Sequence, residues 1–353
     1  MEAHESTALR TPSGHTRLAP PRPEDQPPSQ SPGDDEPWPQ PQRPAGRRLR
    51  RIASAVVCRA IGGLLEMFRH DFPPLVRIET TNACNAKCII CPHRRLERPI
   101  GRIDQALFDR IIAECGLHGC REIHLHNFGE PLLDPRLPER VAQAKAAGIR
   151  KVKIFSNGSL LTEQRTRQLI DAGLDELKIS FDGATREEFE RIRPPLKFDE
   201  VVANIRMAVE IRDELDSPMR IKVACCATTD RAETMRQLSK VVDGFSFGKI
   251  HNWNGLDDDA CEETETLELF PTDEKIRRPC SRLWRTLTVL ADGRISLCCL
   301  DYEGQHILGL LDGDTTIIDV WNSERYRRVR RIHRCGNQDK LILCRNCSKA
   351  QFG

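Results

Sequence analysis

The feature that most constrains this chain is an alternation running from about Leu75 to Gly255, in which short β-branched runs take turns with amphipathic stretches. The strand candidates are VRIETT (76–81), EIHLHNFG (122–129), KVKIFSN (151–157), ELKISFDG (176–183), RIKVACCATT (220–229) and GKIHNWNG (248–255). Between them lie helix patterns such as DQALFDRIIAECG, PERVAQAKAAG, EQRTRQLIDAG and FDEVVANIRMAVEIRDEL. Several close on glycine, the usual residue just past a helix C-terminus. Repeated βα units need crossover helices and so a parallel sheet. Six units predict an α/β fold, a partial (β/α)6 barrel over residues 71–265. In such folds the chemistry sits at the C-terminal ends of the strands.

The flanking regions have a different character. Residues 1–46 hold eleven of the 23 prolines, with Gln, Ser, Asp and Glu between them. Such a segment cannot bury enough apolar surface to offset its ordering entropy, so disorder is expected. Residues 47–70 carry apolar side chains at helical spacing (Ile52, Val56, Val57, Ala60, Leu64, Leu65 and Phe68), an amphipathic helix expected to pack on the domain that follows. After a polar stretch, residues 276–353 form a second, small α+β unit. Its hairpin signal is TLTVLADGRISLCCL, with Asp292-Gly293 between two β-patterned runs.

Charge and composition narrow the function classes. The chain has 54 Lys+Arg against 52 Asp+Glu, which gives no global field for nucleic acid. No apolar run approaches the ~18 residues of a membrane span. The N-terminus lacks the charged, apolar, small-residue order of a secretory signal, so a cytoplasmic location is expected. In that reducing compartment the 15 cysteines read as metal ligands or reactive groups before disulfides.

The strongest local signal is ETTNACNAKCIICPH, directly after the first strand candidate. It sets Cys84, Cys88 and Cys91 in C-x3-C-x2-C spacing, short enough for one loop to present three thiolates to one cluster. A cubane iron–sulfur cluster has one cysteine per iron, so three ligands leave one iron open to a small molecule. A zinc reading needs a fourth ligand such as His93. In the second unit, Cys280, Cys298, Cys344 and Cys347 supply four thiolates, enough for a closed cluster; a four-cysteine zinc site is the alternative.

These motifs together resemble the radical S-adenosylmethionine (SAM) superfamily from Leu75 to about Gly255. The resemblance implies a [4Fe–4S] cluster on Cys84, Cys88 and Cys91, whose open iron chelates SAM. One-electron cleavage of SAM then gives a 5′-deoxyadenosyl radical that abstracts hydrogen from a substrate C–H bond. Phe128-Gly129-Glu130-Pro131 resembles the Gly-Gly-Glu motif at the methionine ammonium, with Phe128 in place of the first glycine. Ser156 and Asn157, then Ser180 and Asp182, resemble positions near the SAM ribose and carboxylate. Ile90 matches the apolar position that packs on adenine. The C-terminal unit resembles the auxiliary-cluster domain called SPASM in its single-cluster twitch form, which implies a second [4Fe–4S] cluster on Cys280, Cys298, Cys344 and Cys347, with Cys299 as the competitor of Cys298. An electron donor such as flavodoxin or ferredoxin is implied as a partner.

Eight cysteines remain, and free cysteine usually behaves as a small core hydrophobe. Cys225 and Cys226 end the fifth strand candidate. Strand alternation places Ile221, Val223 and Cys225 on one face and Lys222, Ala224 and Cys226 on the other. The polar set suits the lumen, so Cys226 is expected to point inward. An inward thiol can return a hydrogen atom to a carbon radical on the face opposite to abstraction, which epimerises the centre. Without a donor, a radical beside a hydroxyl can lose a proton and an electron and become a ketone. The single-cluster form resembles enzymes acting on sugars and aminocyclitols in antibiotic pathways. An epimerase with a carbohydrate-type substrate and Cys226 as hydrogen donor is therefore expected, with a dehydrogenase as the alternative. A ribosomal-peptide maturase and a zinc-structured interaction protein are the remaining readings.

Overall fold

The first helix, α1 (Arg48–Met67), leads into β1 (Leu75–Ile78). From there the expected alternation is realised: α2 (Gln105–Leu117), β2 (Glu122–His124), α3 (Leu137–Ala146), β3 (Lys151–Ser156), α4 (Glu163–Asp171), β4 (Glu176–Ser180), α5 (Arg186–Ile192), α6 (Phe198–Glu214), β5 (Arg220–Cys225), α7 (Arg231–Leu238) and β6 (Gly244–Phe247). The computed structural model describes residues 48–228, 230–248, 250–251, 253, 277–345 and 347, all in one compact unit. The expected disordered region 1–46, the polar stretch before the second unit, and Cys261 lie outside the described residues.

Strands β1 to β6 pair in parallel and in chain order, and the sheet stays open. Side chains alternate as a strand requires. Val76, Ile78, Ile123, Val152, Ile154, Leu177, Ile179, Ile221 and Val223 are buried in the core shared with helix residues such as Phe108, Ile111 and Val201. Polar side chains from Arg77 to Lys222 occupy the opposite face. The sixth strand departs from expectation. It forms over Gly244–Phe247, ahead of the 248–255 run read as a strand. The chain leaves α7 at Leu238 and meets β5 with Gly244 opposite Lys222, so pairing is already complete when that run begins.

The C-terminal unit continues the same sheet. Strand β7 (Thr286–Val289) pairs in parallel with β1, β8 (Arg294–Ser296) runs antiparallel to β7, and β9 (Ile307–Leu310) closes the edge. Gly293 adopts φ +86° in the expected Asp-Gly turn, a conformation glycine takes without steric cost. Helices α8 (Ile317–Trp321), α9 (Glu324–Arg334) and α10 (Ile342–Arg345) pack behind it. Arg330 is buried there between the Trp321 and Tyr326 rings, 4.2 Å from each centroid.

Helix α1 packs on α9, as expected of a docked helix, but only part of the apolar set named above turns inward, with Val57 and Leu65 half-buried. Its buried face is Ser54, Cys58 and Gly62, while Ile52, Val56, Leu64 and Phe68 stay exposed. The approach is too close for bulk: a Cβ on Gly62 would lie 2.7 Å from Arg334 Cγ. Small residues at i, i+4 spacing permit it. No helix among the described residues is long and apolar enough to cross a membrane.

Candidate active site and a second cysteine centre

Residues 79–103 leave β1 and form the first cysteine loop. Cys84, Cys88 and Cys91 are brought into one electrostatic neighbourhood, all partly shielded by the chain. Burial pushes the Cys84 thiol up to about 11 and that of Cys91 up to about 12, and Cys88 is raised for the same reason. Three thiols that resist ionisation in one place fit a site whose negative charge is carried only when a cationic centre supplies the balance. Among the described residues no three Cys, His, Asp or Glu close to the spacing of a single ion; a cubane, with one cysteine per iron, takes wider separations. His93, the candidate fourth zinc ligand, instead places its Nε2 2.7 Å from the Asn82 carbonyl oxygen.

The strand ends hold this loop from several sides. Gly129 has φ +118°, and a Cβ there would sit 2.6 Å from the Thr81 carbonyl oxygen. Only glycine lets the end of β2 lie so flat against the loop. Glu130 is buried, and its carboxylate accepts from Asn157 N at 2.6 Å, Ser156 Oγ at 2.8 Å and Leu132 N at 3.0 Å. Burial outweighs those donors and pushes Glu130 up to about 6. Asn157 Nδ2 donates to Asn85 Oδ1 at 2.9 Å, and Asn85 Nδ2 donates to Ser159 Oγ at 2.9 Å. Glu130, Ser156 and Asn157 thus form one latch between β2, β3 and the cysteine loop. Ile90 packs with Ile192, Ala227 and Ile250, and its carbonyl accepts from Trp253 Nε1 at 3.0 Å.

Ser180 and Asp182 follow different directions at the end of β4. Ser180 is half-buried on the polar face. Asp182 is buried and turned onto protein donors: Cys226 N at 2.5 Å, Ala227 N at 2.8 Å and the Arg193 guanidinium. Arg193 Nη1 also donates to Cys88 Sγ at 3.7 Å. Asp182 and Arg193 therefore tie the end of β5 to the cysteine loop. Cys225 is buried in the core and Cys226 is exposed, as strand alternation requires. A Cβ on Gly248 would lie 3.4 Å from Cys226 Sγ, so Gly248 borders the thiol at contact distance.

A second group of thiols gathers where short turns flank the hairpin. Cys280, Cys298, Cys299, Cys344 and Cys347 share one neighbourhood. Burial raises Cys280 and Cys344, which again suits a site ionised by a bound metal cluster. Cys280 N donates to His333 Nδ1 at 3.2 Å, which anchors the first ligand to α9. The neighbouring thiols of Cys298 and Cys299 act on each other electrostatically, and Arg282 Nη1 donates to Cys299 Sγ at 3.3 Å. Arg77, on the polar face of β1, lies near enough for its positive charge to favour the Cys299 thiolate, and its Nη2 lies 3.2 Å from His124 Nδ1. One arginine thus acts on the second cysteine centre through its charge and hydrogen-bonds on the polar face.

Several of these residues carry no spacing signal. Arg193, Arg77 and Arg282 are ordinary arginines until the fold sets them beside thiols. Glu79 is fully buried, takes both Arg98 nitrogens at 2.6 and 2.7 Å, and accepts from Phe128 N at 3.2 Å and Ala291 N at 3.1 Å. It joins β1, the end of β2 and the C-terminal hairpin.

Comparison with known proteins agrees with this geometry. The radical SAM superfamily profile matches residues 78–214, and the SPASM iron-sulfur cluster-binding domain matches 280–348. A GTP 3′,8-cyclase of Chlorobaculum tepidum is 39% identical over 36% of this chain and 38% of its own length. A probable GTP 3′,8-cyclase of Methanopyrus kandleri is 33% identical over 44% of this chain and 48% of its own. The chain thus spans less than half of those two relatives. A SAM-dependent 2-deoxy-scyllo-inosamine dehydrogenase of Niallia circulans is 21% identical over 78% of this chain and 92% of its own length. The fold is shared with the crystal structure of BtrN bound to AdoMet and 2-DOIA (TM-score 0.54, 19% identity, 78% of this chain and 92% of that one). It is shared also with Streptococcus suis SuiB bound to the precursor peptide SuiA (TM-score 0.58, 15% identity, 76% and 69%). The two domains imply SAM and two [4Fe–4S] clusters, and the two cysteine groups fit them. Residues 78–214 thus match the radical SAM superfamily and residues 280–348 the SPASM iron-sulfur cluster-binding domain, and the chain is similar to aminocyclitol radical SAM enzymes.

Proposed function

We propose that this protein abstracts a carbinol hydrogen from a carbohydrate-type natural product and epimerises that carbon, with Cys226 as hydrogen-atom donor. The observation that carries it is the position of Cys226. Its thiol is exposed just past the C-terminal end of β5, where strand alternation assigns it to the polar face. Its backbone is pinned by Asp182, and Arg193 runs from Asp182 to Cys88. When bound, the SAM-ligating cluster supplies one-electron cleavage of SAM and so a hydrogen-abstracting 5′-deoxyadenosyl group. Cys84, Cys88 and Cys91 would hold that cluster, and the Glu130 latch keeps the surrounding loop in place. Cys226 then gives its S–H hydrogen to the substrate carbon from the opposite face. The sulfur left behind needs one electron and one proton, from a donor such as flavodoxin or ferredoxin, before the next turnover.

Dehydrogenation to a ketone is the second reading. The Niallia circulans relative, matched over nearly its whole length, is named a dehydrogenase. Here the substrate loses a proton and one further electron, and Cys280, Cys298, Cys344 and Cys347 would hold the accepting cluster. Turnover in heavy water with wild type and Cys226→Ala separates the two. A product one mass unit heavier at one carbon, lost in the variant, supports epimerisation. A product two units lighter from both proteins overturns it and leaves dehydrogenation.

A further inference from the structure

The polar face of the sheet carries more positive charge than its own carboxylates balance. Arg77, Lys151, Lys153, Lys178 and Lys222 face Glu122 and Glu176. Glu176 takes three of the lysines, with Lys151 Nζ at 3.1 Å, Lys153 Nζ at 2.5 Å and Lys222 Nζ at 3.1 Å. Glu122 is held by His124 Nε2 at 2.8 Å, with Lys151 Nζ at 3.8 Å. Burial drives both His124 and His126 below their ordinary range, so the ring pair adds no charge near neutral pH. Lys178 is left without a carboxylate: among the described residues it enters no ion pair. Its ammonium sits 5.2 Å from the Phe155 ring centroid, which Lys153 approaches at 5.1 Å, and its strand register sets it beside Lys222.

Its height on the sheet matters as much as its charge. Along β4 and β5 the polar face rises from Glu176, through Lys178 with Lys222, to Ser180 with Ala224, and then to Cys226. Lys178 therefore lies one layer below Ser180 and two below the thiol. The far end of a sugar-sized substrate whose reacting carbon meets Cys226 is thus within reach of Lys178. A protonated amine placed there would meet two lysines. A phosphate, at about −1.5 to −2 near neutral pH, matches the uncompensated charge better than a single carboxylate. The surrounding desolvation, which lowers Lys178 from its ordinary value, makes that excess costly until an anion arrives.

We propose that the substrate is a phosphate-bearing sugar and that Lys178 receives its phosphate. This rests on the radical reading above and sharpens it, since it disfavours a cationic aminocyclitol. The test uses the anaerobically reconstituted holoenzyme and titration calorimetry, with inorganic pyrophosphate, glucose 6-phosphate, uridine diphosphate glucose, glucose and glucosamine as probes. The expected result is binding of phosphate probes but not of glucosamine, weakening as salt is raised. Lys178→Met should weaken it roughly tenfold, the scale of a hydrogen bond to a charged group. Lys178→Arg, which keeps the charge, should restore it. Stronger binding of the diphosphate probes assigns a nucleotide-linked sugar, and stronger binding of glucose 6-phosphate a monoester; both support the proposal. Wild type that ignores all phosphate probes, a preference for glucosamine, or unchanged binding in Lys178→Met overturns it. Uncoupled SAM cleavage by the same wild-type preparation reports on the radical reading separately.

Discussion

The two cysteine centres are built in opposite ways. The first lies in one loop, with Cys84, Cys88 and Cys91 inside eight residues, and the fold serves to clamp that loop through Gly129, the Glu130 latch and Arg193. The second is assembled from three segments, from Cys280 through Cys298 to Cys347, with His333 and Arg282 of the same unit holding Cys280 and Cys299. A local site is specified by spacing. A composite site is specified by packing, and neighbouring thiols such as Cys298 and Cys299 compete for one place in it.

That contrast can be broken experimentally, and the largest effect belongs to the first loop. Cys88→Ala should abolish SAM cleavage and lower iron from about eight to about four per chain; retained cleavage would remove the loop from the chemistry. In the composite centre, Cys298→Ala should also bring iron to about four, but with SAM cleavage preserved, whereas Cys299→Ala should keep about eight. The reverse pattern would make Cys299 the ligand.

The joint between the regions is next in size. Arg98→Met strands a fully buried Glu79 carboxylate and should cost about 3–5 kcal/mol, read by chemical denaturation. Gly129→Ala places a side chain in a left-handed conformation against Thr81 and should cost at least about 1–3 kcal/mol, read as a lower Tm together with lost cluster loading.

The smallest effect is pH-dependent. Burial pushes Glu176 up, but Lys153, Lys222 and Lys151 outweigh it and hold its carboxyl at about 2 against an ordinary 4.5. A depressed carboxylate adds stability above its unfolded value and loses it as pH falls toward the folded one. Glu176→Gln should therefore flatten the decline in Tm between about pH 4.5 and 2 relative to wild type; parallel curves would show that the lysine network contributes nothing.

How much was legible from residues alone follows the same division. Five of the six parallel strands, the Asp292-Gly293 turn and the first cysteine loop are periodic or spaced patterns, and local chemistry enforces them. The contrast between buried Cys225 and exposed Cys226 is what alternation alone predicts. The sixth strand was displaced because its start is set by the length of the α7 connection, which no pattern records. The most buried face of α1, Ser54, Cys58 and Gly62, carries no periodic signal, because these residues bury by smallness while hydrophobic periodicity marks bulk. Asp182 was expected near cofactor or substrate; its carboxylate is turned onto Cys226, Ala227 and Arg193. Arginine contacts with thiols, and the Glu79–Arg98 pair, join positions far apart in the chain.

Strand β1 is flanked by β2 on one side and by β7 on the other. A chain released before residues 286–289 have emerged would present the β1 edge unpaired, a template for pairing with other chains. The C-terminal unit is in this sense an intramolecular cover for a sticky edge. Truncation behind the barrel should yield aggregates instead of a smaller soluble protein, and productive expression will depend on complete synthesis before either centre is loaded.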